Sequence, residues 1–272
     1  MNELRVLPLG KMNVSIQLIQ MDLLKGHHLL LHAVSPRNFM DRNGHRGELY
    51  LARTGDDGPS RLHRRWVLES AGMQADDVFL VRQVHGTHAL LLSDPNVVPD
   101  QVKDVQADAI VTKLFHRPIG VLTADCIPIV LYDFEKHRVA VIHAGRKGTA
   151  EKIFSKTVEA MKREYGCDPR NLVAGMGPGV GNCCYEVDAS CLEPFQEQYP
   201  GWKHFVTPGT DGKYMLDLYT ANREDGVSAG IPLRNLSRSS LCTACHTDRL
   251  YSYRREGSQA GRMLTVAMLL PR

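Results

Sequence analysis

The chain has 272 residues, of which 43% are hydrophobic, and its formal net charge is +3 at pH 7. This length and composition predict a folded protein with a sizeable core rather than a disordered chain. Lysine and arginine are scattered among acidic residues instead of forming blocks, which argues against nucleic-acid binding and favours a small-molecule ligand.

The apolar stretches are too short and too interrupted for a membrane protein. The longest, "IGVLTADCIPIVLY", contains Asp, Cys and Pro and falls short of the ~20 clean apolar residues of a membrane span. The first residues lack the apolar core and small-residue cleavage site of a secretory signal, so we expect a cytoplasmic protein with no membrane partner. Seven cysteines in such a chain favour metal binding, catalysis or burial over a disulfide framework.

Apolar periodicity and turn residues predict strands concentrated in the middle of the chain, with helices placed irregularly between them. This order favours a mixed α+β fold over a strict βαβ repeat, in a single domain spanning 1–272. Residues 33–60, rich in Arg, Asp, Asn and Gly, predict a long loop. The other predicted elements, in chain order, are a helix at about 60–71, strands at 77–84 and 107–112, short strands from 119 to 145, a helix over 149–165, a strand in "NLVAGMG", helices at about 188–198 and 215–229, and a final strand in "MLTVAMLL".

Three chemically capable side chains each follow an apolar, strand-like run. They are His85 in "RQVHGTH", Cys126 in "TADCIP" and His143 in "VIHAG". Two imidazoles and a thiolate suit a catalytic zinc ion with one position left open, and copper accepts the same ligands. No short ligand pair such as HExxH anchors the set, and a single histidine at a strand end is more often a hydrogen-bonded core residue.

A second interpretation needs only Cys126 as nucleophile and His143 as its base, as in metal-free Cys/His hydrolases. It leaves His85 unexplained. Asp125, directly before the cysteine, is a candidate for proton transfer, for orienting a neighbour, or for capping a strand end.

The remaining cysteines leave alternatives open. Cys242-Thr-Ala-Cys245-His246 has the spacing of covalent haem attachment, which would require export. Cys183 and Cys184 are either part of a second zinc site or buried thiols. The glycines of "AGMGPGVGN" predict either an anion-binding nest of backbone amides or a tight turn, and "YSYRRE" offers rings and guanidinium groups for stacking or anion binding.

The ordered motifs "RQVHGTH", "ADAIVT", "LTADCIPIVLYD", "VAVIHAGRKGTA", "GPGVGNCCYEV" and "YSYRREGSQAGRM" resemble the YfiH family. Its members are called multicopper polyphenol oxidases or laccase-domain proteins and, more recently, purine nucleoside phosphorylases. The resemblance runs from about residue 33 to the C-terminus. It implies a layered α/β/β/α sandwich with mixed β-sheets, and a metal ion held by His85, Cys126 and His143.

The resemblance also implies a reaction. We expect phosphorolysis of adenosine, inosine and related purine nucleosides, methylthioadenosine included, to the free base and ribose 1-phosphate by a monomer or homodimer. Zinc is the expected cofactor, with copper as the alternative, and zinc's effect on water makes adenosine deamination a second expected activity. Asp125 and Cys126 are expected at the reacting centre, and Arg37, Lys147 and Arg254 as contacts to the anion or substrate.

Two positions depart from the family pattern. The usual His-Ala-Gly-Trp-Arg-Gly is replaced here by a stretch in which Arg146 stands where the tryptophan is expected, and Tyr50 stands where an asparagine is expected. A copper-dependent polyphenol oxidase remains the alternative activity. An oxygen-reducing copper cluster needs HxH pairs, however, and the sequence has none.

Overall fold

The computed structural model describes residues 13–51 and 58–272. The strands are β1 (Val14–Ser15), β2 (Leu30–Val34), β3 (Asn38–Asp41), β4 (Arg46–Glu48), β5 (Ala89–Leu92), β6 (Ala109–Thr112), β7 (Ile119–Thr123), β8 (Ile127–Asp133), β9 (Arg138–Ala144), β10 (Leu172–Met176), β11 (Glu186–Val187), β12 (Val206–Pro208), β13 (Tyr214–Leu216), β14 (Leu236–Arg238) and β15 (Met263–Leu269). The α-helices are α1 (Gly58–Ser70), α2 (Pro99–Val102), α3 (Arg146–Ala150), α4 (Ile153–Tyr165), α5 (Glu193–Gln198), α6 (Leu218–Ser228) and α7 (Tyr253–Glu256). Short 3-10 helices lie at Asp22–Leu24, Pro169–Asn171, Ala189–Cys191, Trp202–Phe205, Leu233–Asn235 and Gly257–Gln259.

The largest sheet has the strand order β14-β10-β8-β9-β6-β5. Its two edge pairs, β10 with β14 and β5 with β6, are parallel, and its inner pairs are antiparallel. One face packs against α4 and α6, where alternate strand residues such as Ile142 meet Phe154 and Leu218. The opposite residues of the same strands, such as Val141, face a second sheet.

The second sheet, β2-β15-β7, lies between the first sheet and α1. In β15, Met263 and Ala267 pack toward the six-stranded sheet, while Leu264 and Val266 pack toward Val67 of α1. Helix, sheet, sheet and helix therefore follow one another in layers. This arrangement confirms the predicted α/β/β/α sandwich with mixed sheets.

Three predicted elements differ from the structure. The loop predicted over 33–60 contains the end of β2 and the β3–β4 hairpin, and its residues 52–57 lie outside the described part. Residues 77–84 make isolated bridges at Phe79 and Arg82 instead of a regular strand. The helix predicted over 149–165 is divided by Lys152, which adopts φ 63°.

The division of that helix has a long-range cause. A carboxylate oxygen of Asp225, on α6, accepts a hydrogen bond from the backbone N–H of Ser155 at 3.0 Å. This contact satisfies one of the unpaired N–H groups in the first turn of α4 and allows a second helix to start there. Seventy residues separate the two partners, so local periodicity does not reveal the break.

Within the described residues, no helix combines the length and the apolar character needed to cross a bilayer.

Candidate metal centre

The site lies where three neighbouring strands of the six-stranded sheet meet. The central strand β9 carries His143 as its next-to-last residue, and it is flanked by β8 and β6. Both flanking strands run antiparallel to β9, so each begins where β9 ends. Cys126 directly precedes β8 and Asp108 directly precedes β6, and the topology therefore brings both residues to His143.

The structure brings together the three side chains that the sequence singled out as metal ligands. One ligand atom each from His85, Cys126 and His143 lies within 4.8 Å of the others, and the two imidazole rings meet edge to face with their centroids 4.8 Å apart. His143 is buried, Cys126 is half-buried and His85 is exposed. The group is therefore anchored in the sheet on one side and open to solvent on the other.

Asp108 orients two members of this group, and it is not among the candidate residues named from the sequence. Its fully buried carboxylate accepts hydrogen bonds from Nδ1–H of His143 at 2.8 Å, from the His85 backbone N–H at 2.9 Å and from the Gly86 N–H at 2.7 Å. When the ring of His143 is neutral, as a metal ligand must be, the first contact leaves its Nε2 with a lone pair. Histidine ligands of zinc usually donate their other ring N–H to a carboxylate, as His143 does to Asp108. The donor set therefore fits a zinc ion.

An aspartate inside the apolar run "ADAIVT" was the available sequence signal for Asp108. A charged side chain in an otherwise buried segment requires partners.

The site strongly shifts the proton affinities of two of its members. Burial of the Cys126 thiol raises its pKa, but the charge of His143 and hydrogen bonds from both imidazoles outweigh that effect and lower the pKa to about 6. Burial of His143 lowers its pKa, but the Cys126 thiolate and the Asp108 carboxylate together raise it to about 9. Without a bound cation the pair is therefore a thiolate beside an imidazolium near neutral pH.

Glycine is required next to the group for steric reasons. A Cβ atom on Gly145 would lie 2.9 Å from Cδ2 of His85 and 3.0 Å from Sγ of Cys126. One on Gly148 would lie 2.8 Å from the carbonyl oxygen of Gly86. The two glycines let α3 approach the ligand-bearing segments.

Asp125 is held in a strained conformation beside Cys126. Its φ of 87° is unusual for a residue with a side chain. One carboxylate oxygen accepts a hydrogen bond from the hydroxyl of Thr243 at 2.5 Å, and the other accepts one from the backbone N–H of Arg254 at 2.5 Å. Both oxygens are thus committed to protein donors.

The three predicted anion contacts occupy different environments. Arg37 forms ion pairs with Glu48 and Glu256, at 2.9 and 2.5 Å. Lys147 is exposed on α3. Arg254 is exposed, and its guanidinium donates to the carbonyl oxygen of Glu186 at 2.7 Å. Arg37 is therefore already paired with two carboxylates, whereas Lys147 and Arg254 present their charges at the surface.

The two positions that depart from the family pattern also differ in placement. Arg146, in place of tryptophan, is half-buried at the start of α3 and donates to the carbonyl oxygen of Cys191 at 3.5 Å. Tyr50 is exposed, and its backbone N–H donates to Nδ1 of His63.

The glycine-rich segment forms a packed turn. The N–H of Gly177 donates to the Pro128 carbonyl, and that of Gly179 donates to the hydroxyl of Tyr219 at 2.7 Å. The N–H of Gly181 donates to a cysteine sulfur. Since protein atoms already accept from these amides, the geometry favours the tight turn over the anion-binding nest.

The chain is similar to proteins of one known family. Residues 38–270 match the family described as multi-copper polyphenol oxidoreductase laccase. A relative named adenosine deaminase RL5, from an unidentified prokaryote, is 36% identical over 82% of this chain and 87% of its own length. A relative named purine nucleoside phosphorylase, from Bacteroides thetaiotaomicron, is 28% identical over 79% of this chain and 82% of its own length.

A solved structure shares the fold. The hypothetical protein YfiH of Bacillus licheniformis matches with a TM-score of 0.81 and 25% identity, over 94% of this chain and 96% of that one. The chain therefore belongs to the YfiH-like, multi-copper polyphenol oxidoreductase laccase family.

Proposed function

We propose that the chain is a zinc-dependent purine nucleoside phosphorylase that converts adenosine, inosine and related nucleosides to the free base and ribose 1-phosphate. The observation that carries this proposal is the group formed by His85, Cys126 and His143, which is oriented by buried Asp108 and open to solvent at His85. A three-ligand site with one open side is typical of catalytic zinc rather than structural zinc. The names of the relatives supply the substrate class.

The proposed reaction replaces one bond at the anomeric carbon of the ribose. A phosphate oxygen forms a bond to C1′, the bond from C1′ to the purine nitrogen breaks, and the purine leaves with the electron pair and takes up a proton. Zinc held by the three ligands would supply Lewis-acid stabilisation of negative charge. The exposed cations Lys147 and Arg254 are proposed to attract the phosphate. The charge of Arg37 is already paired with two carboxylates, so its contribution to phosphate binding is proposed to be smaller.

Asp125 is proposed to act as an orienting and charge-stabilising group. Because both of its oxygens accept hydrogen bonds from Thr243 and Arg254, the carboxylate is held in place rather than free to carry a proton. A fixed negative charge beside the site would favour the positive charge that develops on the ribose as the base departs.

Deamination of adenosine is the second candidate activity. The relative that is 36% identical carries the name adenosine deaminase. In that reaction a water oxygen forms a bond to C6 of the adenine ring, the bond from C6 to the amino nitrogen breaks, and the amino group takes up a proton and leaves as ammonia. The products separate the two reactions, because deamination yields inosine and ammonia whereas phosphorolysis yields adenine and ribose 1-phosphate.

The test combines metal analysis with an activity assay in the presence and absence of phosphate. We expect base release that requires both phosphate and zinc, and a loss of at least about a hundredfold in Cys126→Ala. Cys167→Ala is the matched control, since Cys167 is a buried thiol beyond the metal centre, packed in the core beside α4. Full activity of metal-free Cys126→Ala, or base release without phosphate, would overturn the proposal. If the purified chain binds copper tightly, oxidises phenols and releases no base from nucleosides, the copper-dependent polyphenol oxidase is favoured instead.

A further inference from the structure

Four cysteine thiols outside this site form a second compact group. Cys183 and Cys184 lie in the turn before β11, and Cys242 and Cys245 lie in the loop after β14. All four sulfur atoms are within 4.8 Å of one another, and Sγ of Cys245 is 3.6 Å from that of Cys183 and 3.4 Å from that of Cys184. Four thiolates around a tetrahedral zinc ion lie about 3.8 Å apart, given Zn–S bonds of about 2.3 Å.

We propose that Cys183, Cys184, Cys242 and Cys245 form a structural zinc site. The sulfur spacing suits a single ion, because an iron–sulfur cluster places its cysteine sulfurs farther apart around several metal atoms. Two of the ligands have the C-x-x-C spacing that is common in structural zinc sites. A complete set of four protein ligands leaves no open position, in contrast to the group around His143.

Backbone donors around the cluster favour thiolates. The N–H of Gly181 donates to Sγ of Cys242 at 3.2 Å. A backbone N–H that donates to a cysteine sulfur stabilises the thiolate, which is the form of cysteine that binds zinc.

A positive side chain lies beside the cluster. The guanidinium of Arg255 is 3.6 Å from Sγ of Cys184 and is held there by a hydrogen bond to the carbonyl oxygen of Ala244 at 3.0 Å. A divalent ion with four thiolates carries a net charge of about −2. Arg255 offsets part of that charge.

The ion would join two segments that support the metal centre. Gly179 and Cys242 form a bridge, and the backbone N–H of Thr243 donates to the Gly179 carbonyl oxygen at 3.0 Å. The hydroxyl of the same threonine, which is fully buried, holds Asp125. Zinc in the four-cysteine site would therefore fix the loop that positions Asp125 next to Cys126.

The binding test uses the full chain purified under reducing conditions. We expect about two zinc ions per chain in the wild type, and about one in Cys242→Ser/Cys245→Ser and in His85→Ala/Cys126→Ala. Cys167→Ser/Cys191→Ser, which removes two thiols outside both groups, is the matched control and should keep about two. The two sites lose metal in different variants, so they are tested separately. Absence of zinc from the four-cysteine site would not bear on the proposed phosphorylase activity.

A spectroscopic measurement keeps the proposal testable even if the cysteine variants fold poorly. In His85→Ala/Cys126→Ala, where all four cysteines are intact, X-ray absorption at the zinc edge should show four sulfur neighbours at about 2.3 Å. Zinc with nitrogen or oxygen neighbours, iron in place of zinc, or no metal at all would overturn the proposal. A disulfide between Cys245 and either Cys183 or Cys184 would overturn it as well. Under non-reducing conditions, such a bond would lower the mass of the chain by about 2 Da, and peptide mapping would identify the two cysteines.

Discussion

Among individual residues, Asp108 links the most parts of the metal centre. Its carboxylate fixes the ring of His143 and the backbone around His85 at the same time. Because loss of such an orienting carboxylate typically weakens metal binding about 10–100-fold, we expect Asp108→Asn to raise the Kd for zinc by that factor. Competition with a chromophoric chelator measures the change.

Asp133→Asn is the matched control for this substitution. Asp133 is also fully buried and also accepts backbone hydrogen bonds, but it lies at the opposite end of β8 from Cys126. Equal zinc affinities in the two variants would show that Asp108 stabilises the fold without tuning the metal centre.

Cys126 has a distinct chemical signature in the metal-free protein. Since its pKa is about 6 and the thiolate is the reactive form, the rate of alkylation by iodoacetamide should rise with a midpoint near pH 6 and level off above about pH 7. Zinc should suppress the reaction. Peptide mass spectrometry follows each cysteine separately, with Cys167 as an internal reference, because burial and Asp133 raise its pKa to about 12.

A Cys126 profile with its midpoint near the ordinary thiol pKa of about 8.5 would contradict the thiolate–imidazolium pair. Rapid stoichiometric labelling in the presence of saturating zinc would instead favour the metal-free hydrolase.

At the scale of elements, the contact between α3 and the ligand segments depends on the absence of a side chain at Gly145. Its φ of −77° is one that alanine adopts freely, so the effect of Gly145→Ala is steric. The added methyl group would press on His85 and Cys126, and overpacking of this kind costs about 1–3 kcal/mol. We expect zinc affinity and base release to fall roughly tenfold or more.

Gly26→Ala is the control, because a Cβ atom there meets no other atom within 4 Å. Wild-type zinc binding in Gly145→Ala would mean that the ligand segments can move apart, and hence that the site is less rigid than the structure indicates.

The strand-end positions of Cys126 and His143 were predictable, but the irregular segment that carries His85 and the partners of the three ligands were not. Apolar runs ending in His85, Cys126 and His143 are visible in the sequence. Asp108 is tied to His143 by the pairing of β6 with β9, and the four cysteines come together through the contact of Gly179 with Cys242. Both depend on long-range pairing, which no local spacing encodes.

The layered arrangement of the whole molecule came from the family resemblance and not from periodicity. β8 and the inner residues of β9 are buried on both faces, since one face meets helices and the other meets the second sheet. Such strands read as continuous apolar runs, which do not show which residues face which layer. β3 and β4 were predicted as part of a loop because they are short and carry few apolar residues. β2, which is largely apolar, was not predicted.

Stability of the folded chain should depend on pH through His32. Burial lowers its pKa from 6.5 to about 4, and its Nε2 accepts a hydrogen bond from the Met21 N–H. Above pH 6.5 the neutral form is favoured in both states, and the contribution is fully present. As the pH falls from 6.5 toward 4, the unfolded chain binds a proton that the folded chain excludes, and the free energy of unfolding drops by up to about 3 kcal/mol.

Urea unfolding at pH 7 and pH 5 measures this loss. His32→Gln keeps an acceptor for Met21 without a titrating group, so its unfolding free energy should fall less between the two pH values. Identical pH dependence in the variant and the wild type would rule out His32 as the source.

We propose that this chain transfers the ribose of a purine nucleoside to phosphate at the His85, Cys126 and His143 site. Phosphorus NMR of the zinc-loaded protein with inosine and inorganic phosphate tests it directly. We predict a ribose 1-phosphate signal that grows in step with hypoxanthine and is absent in Cys126→Ala. Hypoxanthine accompanied by free ribose, or no hypoxanthine from a folded, zinc-loaded protein, would rule out the proposed phosphorolysis.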